Sequence, residues 1–427
     1  MLDIKFIRNN PEVVRKAIQN KNIDLDLDKL LALDSRRREL IESSETIKAE
    51  QNRKSKGPQF NVEELKSLKE KFKVMEHELT CVEEEFSQLM LQVPNIPSDD
   101  TPIGRSETEN IVVKKVGEPK KIDFQPKSHW ELGQTLNLID KERASKVAGS
   151  RFAYIKGGLV KLQFALLQFG VDNLTDQKVI RKIIKTNKLS VPDSPFDLVL
   201  PPALIKTDAY VATARLNGAE MTYKLENDDL WLNASAEHSI APMYLNETLD
   251  ESDLPIRYLG YTTAFRREAG TYGKDTEGIL RMHQFDKLEL ESFSTKEQSF
   301  EEHLFFIAVQ EYLMEQLKIP YHVLLKCTAD IGFANARGVD IEAWMPGQNK
   351  YRETHSADYM TDFQARRLNT RVRRFNGELE LAHTNDATAF ALGRILIAIM
   401  ENYQTSKGTI EVPKVLRKYM GGVKEIK

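Results

Sequence analysis

The chain has 427 residues, 41% apolar and 29% charged, with a formal net charge of -3. That length predicts two or three domains of about 100–200 residues each, and no apolar run approaches the roughly 20 residues that a bilayer span needs. The near-neutral balance neither requires nor excludes nucleic acid, since a basic patch can sit within an even total.

The N-terminus, MLDIKFIRNNPEVV, has no apolar signal core and is not the Arg/Ser-rich, acid-poor sequence of a transit peptide. Cys81 and Cys327 lie far apart, so a cytoplasmic protein without disulfides is expected. Next comes helical periodicity. Leu33, Leu40 and Ile47 recur every seven residues with Leu30 on the same face, while Arg37, Ser44 and Gln51 fill the companion positions. From Asn61 to Val93 the seam is stronger: Leu65, Leu68, Phe72, Met75, Leu79, Val82, Phe86, Leu89 and Val93 alternate spacings of three and four. This predicts a coiled-coil helix. Gly57-Pro58 separates the two helices and folds them into an antiparallel hairpin over about 28–93, roughly 40–45 Å long at 1.5 Å per residue.

Periodicity alone favours a structural or dimerising role for the hairpin. Its turn end is basic, with Lys48, Arg53, Lys54 and Lys56 before the turn and Lys66, Lys69, Lys71 and Lys73 after it, interleaved with Glu63, Glu64 and Glu70. Such a run is usually a solvated face and becomes an RNA grip only if the rest of the chain uses RNA. The segment VPNIPSDDTPIG then reads as a linker, dividing an arm of 1–104 from a body of 105–427. In the body, short runs such as NIVVKK, FDLVLPPALI and YHVLLKC mix with amphipathic stretches such as LVKLQFALLQFGVDNL. This predicts an α+β domain on a largely antiparallel sheet flanked by helices.

Neither GxxxxGK[ST] nor GxGxxG is present, so a nucleotide site would have to rely on arginine forks. Ala264–Phe293 carries Arg266, Arg267 and Arg281 with Glu268. Read as a β-hairpin, it turns Phe285, Lys287, Glu289 and Glu291 to one face. Such a face could hold a purine and a small amine, or be a solvated hairpin; on its own the two readings are even. In Met345–Arg367, Glu353 and Ser356 are oxygen ligands three apart, suited to Mg²⁺ on a polyphosphate. From Ala389 to Tyr403 the chain predicts an apolar helix with a lone Arg394, which calls for an anion: either a phosphate or an acid elsewhere in the chain.

Together and in this order, these stretches resemble the class II aminoacyl-tRNA synthetases, and in detail the seryl-tRNA synthetases. The likeness spans nearly the whole chain, including HWELGQTLNLIDKERASKVAGSRF, FRREAGTYGKDTEG, MHQFDKLELESF, TDFQARR and LGRILIAIMENYQ. It implies a class II catalytic domain that activates serine with ATP. The acceptor is then tRNA(Ser), with tRNA(Sec) a second candidate, and the chain is a homodimer with Pro202 of LPPALI at the interface. Arg266 matches the residue on the ATP α-phosphate and the serine carboxylate. Glu268 matches the acceptor of the adenine amino group, and Phe285 the adenine-stacking ring, with Arg394 on the other side. Arg281 and Arg394 match the γ-phosphate clamp, and Glu353 and Ser356 the Mg²⁺ ligands. Ser235 and Glu237 of LNASAEH, with Glu289, Asp386 and Thr388, match the serine pocket.

The chain departs from the family pattern at several points. Asp386-Ala387-Thr388-Ala389 stands where bacterial-type members commonly carry Asn-Gly-Ser-Gly. Ser235 replaces the commoner Thr, and Thr354-His355-Ser356-Ala357-Asp358-Tyr359-Met360 stands where members more often carry small residues and Cys. No Cys lies near the motifs, so the zinc held by some archaeal members is not expected. Two other readings stand beside this one. A ligase loading carrier proteins would lack the long hairpin. A catalytically impaired tRNA-binding paralogue would have no need of Arg266, Arg281, Glu353 and Arg394, although Asp386 favours it.

Overall fold

The computed structural model describes residues 1–55, 62–216, 221–268 and 278–427. The expected breaker Gly57-Pro58, with Lys56 and Asn61, lies outside the described residues, as does 269–277 of the Arg-bearing stretch. The chain divides into two compact units, Met1–Ile96 and Pro97–Lys427. The connection after Pro97 is tied into the second unit: Ser98 N and Thr101 Oγ1 both donate to the Ala336 carbonyl, at 2.8 and 3.0 Å.

In the first unit, short helices α1 (Ile4–Asn9) and α2 (Pro11–Asn20) precede the long helices α3 (Leu27–Ser55) and α4 (Val62–Gln92). Asp3 caps α1, accepting from Lys5 N at 2.7 Å, and Pro11 starts α2, where no N–H is needed. The pairs Lys29–Glu85, Arg36–Glu78 and Lys54–Glu64 show that α3 and α4 run antiparallel. At 29 and 31 residues, they reach about 45 Å. The predicted seam of α4 is half-buried from Leu65 to Leu89, and Val93 is fully buried. Arg37 fits the polar seam of α3 by pairing with Glu83 at 3.2 Å and lying 5.3 Å over the Phe86 ring. Buried Asp34 sits between Arg8 at 3.0 Å and Arg38 at 3.3 Å, tying α1 to α3. Lys48, Arg53, Lys66, Lys69, Lys71 and Lys73 are all exposed.

The second unit is built on one sheet of eight strands. These are β1 (Ile111–Val116), β2 (Asp197–Val199), β3 (Ile256–Phe265), β4 (Gln284–Ser294), β5 (Tyr321–Leu325), β6 (Arg337–Met345), β7 (Lys350–Thr361) and β8 (His383–Ala391). Their order is β1-β5-β6-β7-β8-β4-β3-β2, antiparallel except where edge strand β2 runs parallel to β3. Helices α5 (Gly158–Leu174), α6 (Ser299–Leu317) and α7 (Leu392–Asn402) build the core with the sheet. Gly170 lets α5 come close to the sheet, since a Cβ there would lie 2.7 Å from Leu288. Gln310 of α6 donates to the carbonyls of Ser356 and Thr388, at 2.8 and 2.9 Å, and so clamps β7 to β8.

The helix expected from Ala389 begins only at Leu392 and ends at Asn402. Phe390 pairs with Leu288 and Ala391 with Lys287, so the sheet ladder holds residues whose apolar run reads as helical. Among the described residues, no helix is long and apolar enough to cross a membrane.

Candidate active site

Strand β4 sets the geometry through its alternation. Leu288 and Leu290 enter the core, while Phe285, Lys287 and Glu289 face a cavity of about 230 Å³. Strand β3 carries the chain to Arg266, and α7 brings Arg394 to the same space in its first turn.

Glu353 and Ser356 both face this cavity although they are three apart on β7, and a regular strand would put them on opposite faces. The register explains it: Ile341 pairs with His355 but Glu342 pairs with Glu353, leaving Thr354 as the extra residue of a β-bulge. A second bulge lies in β8, where Thr388 pairs with Glu289 and Phe390 with Leu288, leaving Ala389 over. It lets Asp386 and Thr388 face the cavity before the bulge, and Ala391 after it.

One end of the cavity is rich in arginine. Arg266 donates from Nε to the Ala234 carbonyl at 3.1 Å and lies 5.3 Å over the Phe285 ring. Arg281 pairs with Glu268 at 3.3 Å. Arg394 pairs with Glu353 Oε1 and also donates to its carbonyl, both at 3.0 Å. Packing around Glu353 opposes ionisation, but Arg394, then Lys326 and Arg266, hold its carboxyl down at about 2. An ionised carboxylate beside the Ser356 hydroxyl fits a divalent cation that draws its other ligands from phosphate and water.

The other end is crowded with acids. Lys287 Nζ lies 2.7 Å from Glu289 and donates to Ser235 Oγ at 3.1 Å; Ser235 Oγ donates to Glu289 Oε2 at 2.9 Å, and Thr388 Oγ1 donates to Glu289 Oε1 at 3.4 Å. Burial pushes Glu289 up to about 8, with Lys287 holding it back and Glu237 adding to the rise. Burial alone would also raise Glu237, yet Arg215, His238 and Lys287 keep it well below the usual range. Asp386 is pushed well up by burial, against the pull of Arg215, with Glu237, Asp358 and Glu289 adding to the rise.

The structure thus brings Arg266, Glu268, Arg281, Phe285, Glu353, Ser356 and Arg394 to one cavity with Glu237, Glu289, Asp386 and Thr388. Ser235 stands directly behind Glu289. Pro202 is apart from the cavity and exposed, and its carbonyl accepts from Ser239 Oγ at 2.6 Å. Neither histidine near the motifs is a base for this cavity. His355 is buried, which lowers it to about 3, and His283 Nδ1 lies 2.8 Å from the Arg266 carbonyl.

Sequence reading missed Arg215 and Asp358, both of which line the cavity. Asp358 stood in the sequence only as part of a departure from the family pattern, although its even spacing from Ser356 puts it on the same strand face. Arg215 had none, because its partners lie at Glu237, Asp358 and Asp386. Lys287 was legible as a cation on the Glu289 face, and its place between Ser235 and Glu289 follows from the fold.

Comparison with known proteins covers both units. Residues 1–97 match the family described as the seryl-tRNA synthetase N-terminal domain, and residues 222–403 the tRNA synthetase class II core domain (G, H, P, S and T). The serine--tRNA ligase of Symbiobacterium thermophilum is 40% identical over 430 residues, covering 98% of each chain. Among solved structures, seryl-tRNA synthetase from Pyrococcus horikoshii complexed with ATP superposes with a TM-score of 0.89 at 35% identity, covering 100% of this chain and 99% of the other. The cytoplasmic serine-tRNA ligase of Naegleria fowleri in complex with AMP gives 0.86 at 32% identity, with the same coverage.

Proposed function

Because the chain belongs to the seryl-tRNA synthetase family, and so joins serine to tRNA at the expense of ATP, we propose that both steps run in the cavity between Arg394 and Asp386. The observation that carries this reading is the convergence of Arg266, Glu353 and Arg394 with Glu289 on one cavity.

In the first step the serine carboxylate attacks the ATP α-phosphorus, and the bond to the bridging oxygen breaks to release pyrophosphate. Arg266 neutralises charge where it builds up, between the attacking carboxylate and the α-phosphate. Arg281 and Arg394 hold the γ-phosphate, Phe285 stacks on adenine, and Glu268 accepts from its amino group. Glu353 and Ser356 would hold Mg²⁺, which supplies further neutralisation of the phosphates when bound. In the second step the 3′-hydroxyl of the terminal adenosine of tRNA(Ser), or of tRNA(Sec) as a second acceptor, attacks the acyl carbon and AMP leaves. Positioning and charge neutralisation suffice, without a side-chain nucleophile.

Glu237 and Glu289 take the serine ammonium group, with Ser235 and Thr388 completing the polar wall. A pocket that hydrogen-bonds a hydroxyl rejects an analogue lacking it by about 10⁴–10⁵, which here disfavours alanine. The reading extends to a cytoplasmic homodimer joined around Pro202, where Leu200 and Leu204 are also exposed, with the basic end of the α3–α4 hairpin gripping tRNA. An impaired paralogue loses its support, because Arg215 gives the buried Asp386 a partner at this position.

ATP–pyrophosphate exchange tests the reading: serine alone among a panel of amino acids should drive exchange without tRNA, and no exchange with serine and Mg²⁺ would refute it. Removing Leu30–Val93 should leave exchange intact and abolish tRNA charging; undiminished charging would remove the arm from tRNA binding.

A further inference from the structure

Arg215 lies outside the motifs but faces the amino-acid end of the cavity. It follows the six-residue helix Thr207–Ala212, and its placement is tightly held. Ala214 takes a left-handed conformation at φ 59°. Arg215 N donates to Thr213 Oγ1 at 3.2 Å, and Gln364 donates to the Thr213 carbonyl at 2.9 Å. From there the guanidinium reaches three carboxylates on three separate elements: Asp386 of β8, Asp358 of β7 at 3.3 Å, and Glu237 at 3.4 Å. Glu291 of β4, paired in register with Asp386, adds a fourth carboxyl and is fully buried. His238 and Tyr210, hydrogen-bonded to each other at 2.7 Å, add to the ionisable surroundings, with Glu289 and Lys287 on the cavity side, Lys326 and Asp340 within electrostatic reach of Asp358, and Arg266 within reach of His238.

We propose that Arg215 is a positioning residue for serine: its guanidinium holds Glu237, Asp358 and Asp386 together as the floor of the amino-acid pocket, so that Glu237 meets the substrate ammonium group as a carboxylate. Four carboxyls converge here, and no other cation reaches Asp358 and Asp386 among the described ion pairs. Without Arg215 they compete for protons, and the ammonium group loses its acceptor. The inference rests on the serine reading above. It adds a residue that never touches the phosphates, whose effect should fall on one substrate only.

The experiment measures ATP–pyrophosphate exchange from pH 6 to 9 for the unaltered enzyme, Arg215→Gln, Arg215→Lys and the double variant Arg215→Gln/Asp386→Asn, with thermal melts of each. Arg215→Gln should raise KM for serine about a hundredfold or more, as expected when one partner of a buried ion pair is removed. Its KM for ATP should stay within about threefold, and the serine defect should deepen toward low pH as the floor carboxyls take up protons. Arg215→Lys should recover part of the loss, and the double variant most of it, because the acid left without its cationic partner beside Glu237 and Asp358 is then removed as well. If Arg215→Gln does not fold, the Lys and double variants carry the same test. An unchanged serine KM in Arg215→Gln, equal rises in serine and ATP KM, or a double variant no better than the single would each overturn the inference. Absence of serine-dependent exchange in the unaltered enzyme would overturn the serine reading, and this inference with it.

Discussion

The two ends of the cavity use the same residue types to opposite effect. At the Arg394 end, Glu353 looks onto open space with cations around it and is held at about 2. At the Asp386 end, Glu289 is buried among other acids and is pushed up to about 8. Both residues lie on strands of one sheet, so secondary structure does not separate them. What does is the count of cations against acids within reach, and how much water remains. In the proposed function, the Arg394 end is thus preset to receive the negative charge of phosphate, whereas the Asp386 end holds protons that an ammonium group displaces.

The sharpest way to break this contrast is to remove the cation at the phosphate end. Arg394→Ala should lower the exchange rate by about 10²–10³, the usual loss when one preorganised donor is deleted. Circular dichroism should still report a folded chain, and a normal rate would remove the phosphate role given to Arg394. Changing pH should separate the two ends less drastically. Below about 8, serine must displace a proton from Glu289, so KM for serine should fall by about tenfold or more between pH 6.5 and 8.5, while KM for ATP stays flat. A flat serine KM over that range would show that Glu289 is already ionised.

Stability should follow the same division with opposite signs. Glu353 has a depressed folded value, so its contribution is present above the ordinary glutamate range and is lost as pH falls toward about 2. Glu289 has a raised one, so its burial weighs increasingly against the fold as pH rises from about 4.5 to 8. The smallest expected effect is at Glu291, whose two carboxylate oxygens are buried without a hydrogen-bond partner among the described residues. Burial, then Asp386 and Glu237, push it well up. Glu291→Leu should therefore stabilise the enzyme by about 1 kcal/mol, read as a higher melting midpoint. A lower midpoint would mean that this carboxyl supports the floor around Arg215.

How much of this was legible depended on the range of the contacts. The arm could be read directly, because a seam from Leu65 to Val93 is a local pattern, and its residues on α4 are half-buried between exposed neighbours. The shared face of Phe285, Lys287 and Glu289 was equally local, set by strand alternation. Arg266, Glu353 and Arg394 needed the family resemblance, since nothing in their own neighbourhoods distinguishes a phosphate ligand from an ion pair. Arg215 stayed hidden because its partners come from β7, β8 and the short helix Glu237–Ile240, which only the tertiary fold brings together. The misplaced start of α7 has the same origin: Ala389 to Ala391 look helical in sequence, and their strand partner on β4 is about a hundred residues away.

The bulges at Thr354 and Ala389 bear on how this enzyme can change over time. Each adds a single unpaired residue that turns the following side chains to the other face of the sheet. Chain length between Glu353 and Ser356, and between Thr388 and Arg394, is therefore under tighter constraint than the identity of the residues that fill it. Substitution at Thr354 or Ala389 keeps the register of the bulge, within the size that their buried sites allow. Loss or gain of one codon in either stretch would turn a cavity-lining side chain such as Ser356 or Ala391 toward the core, so these strands should tolerate substitution better than insertion or deletion.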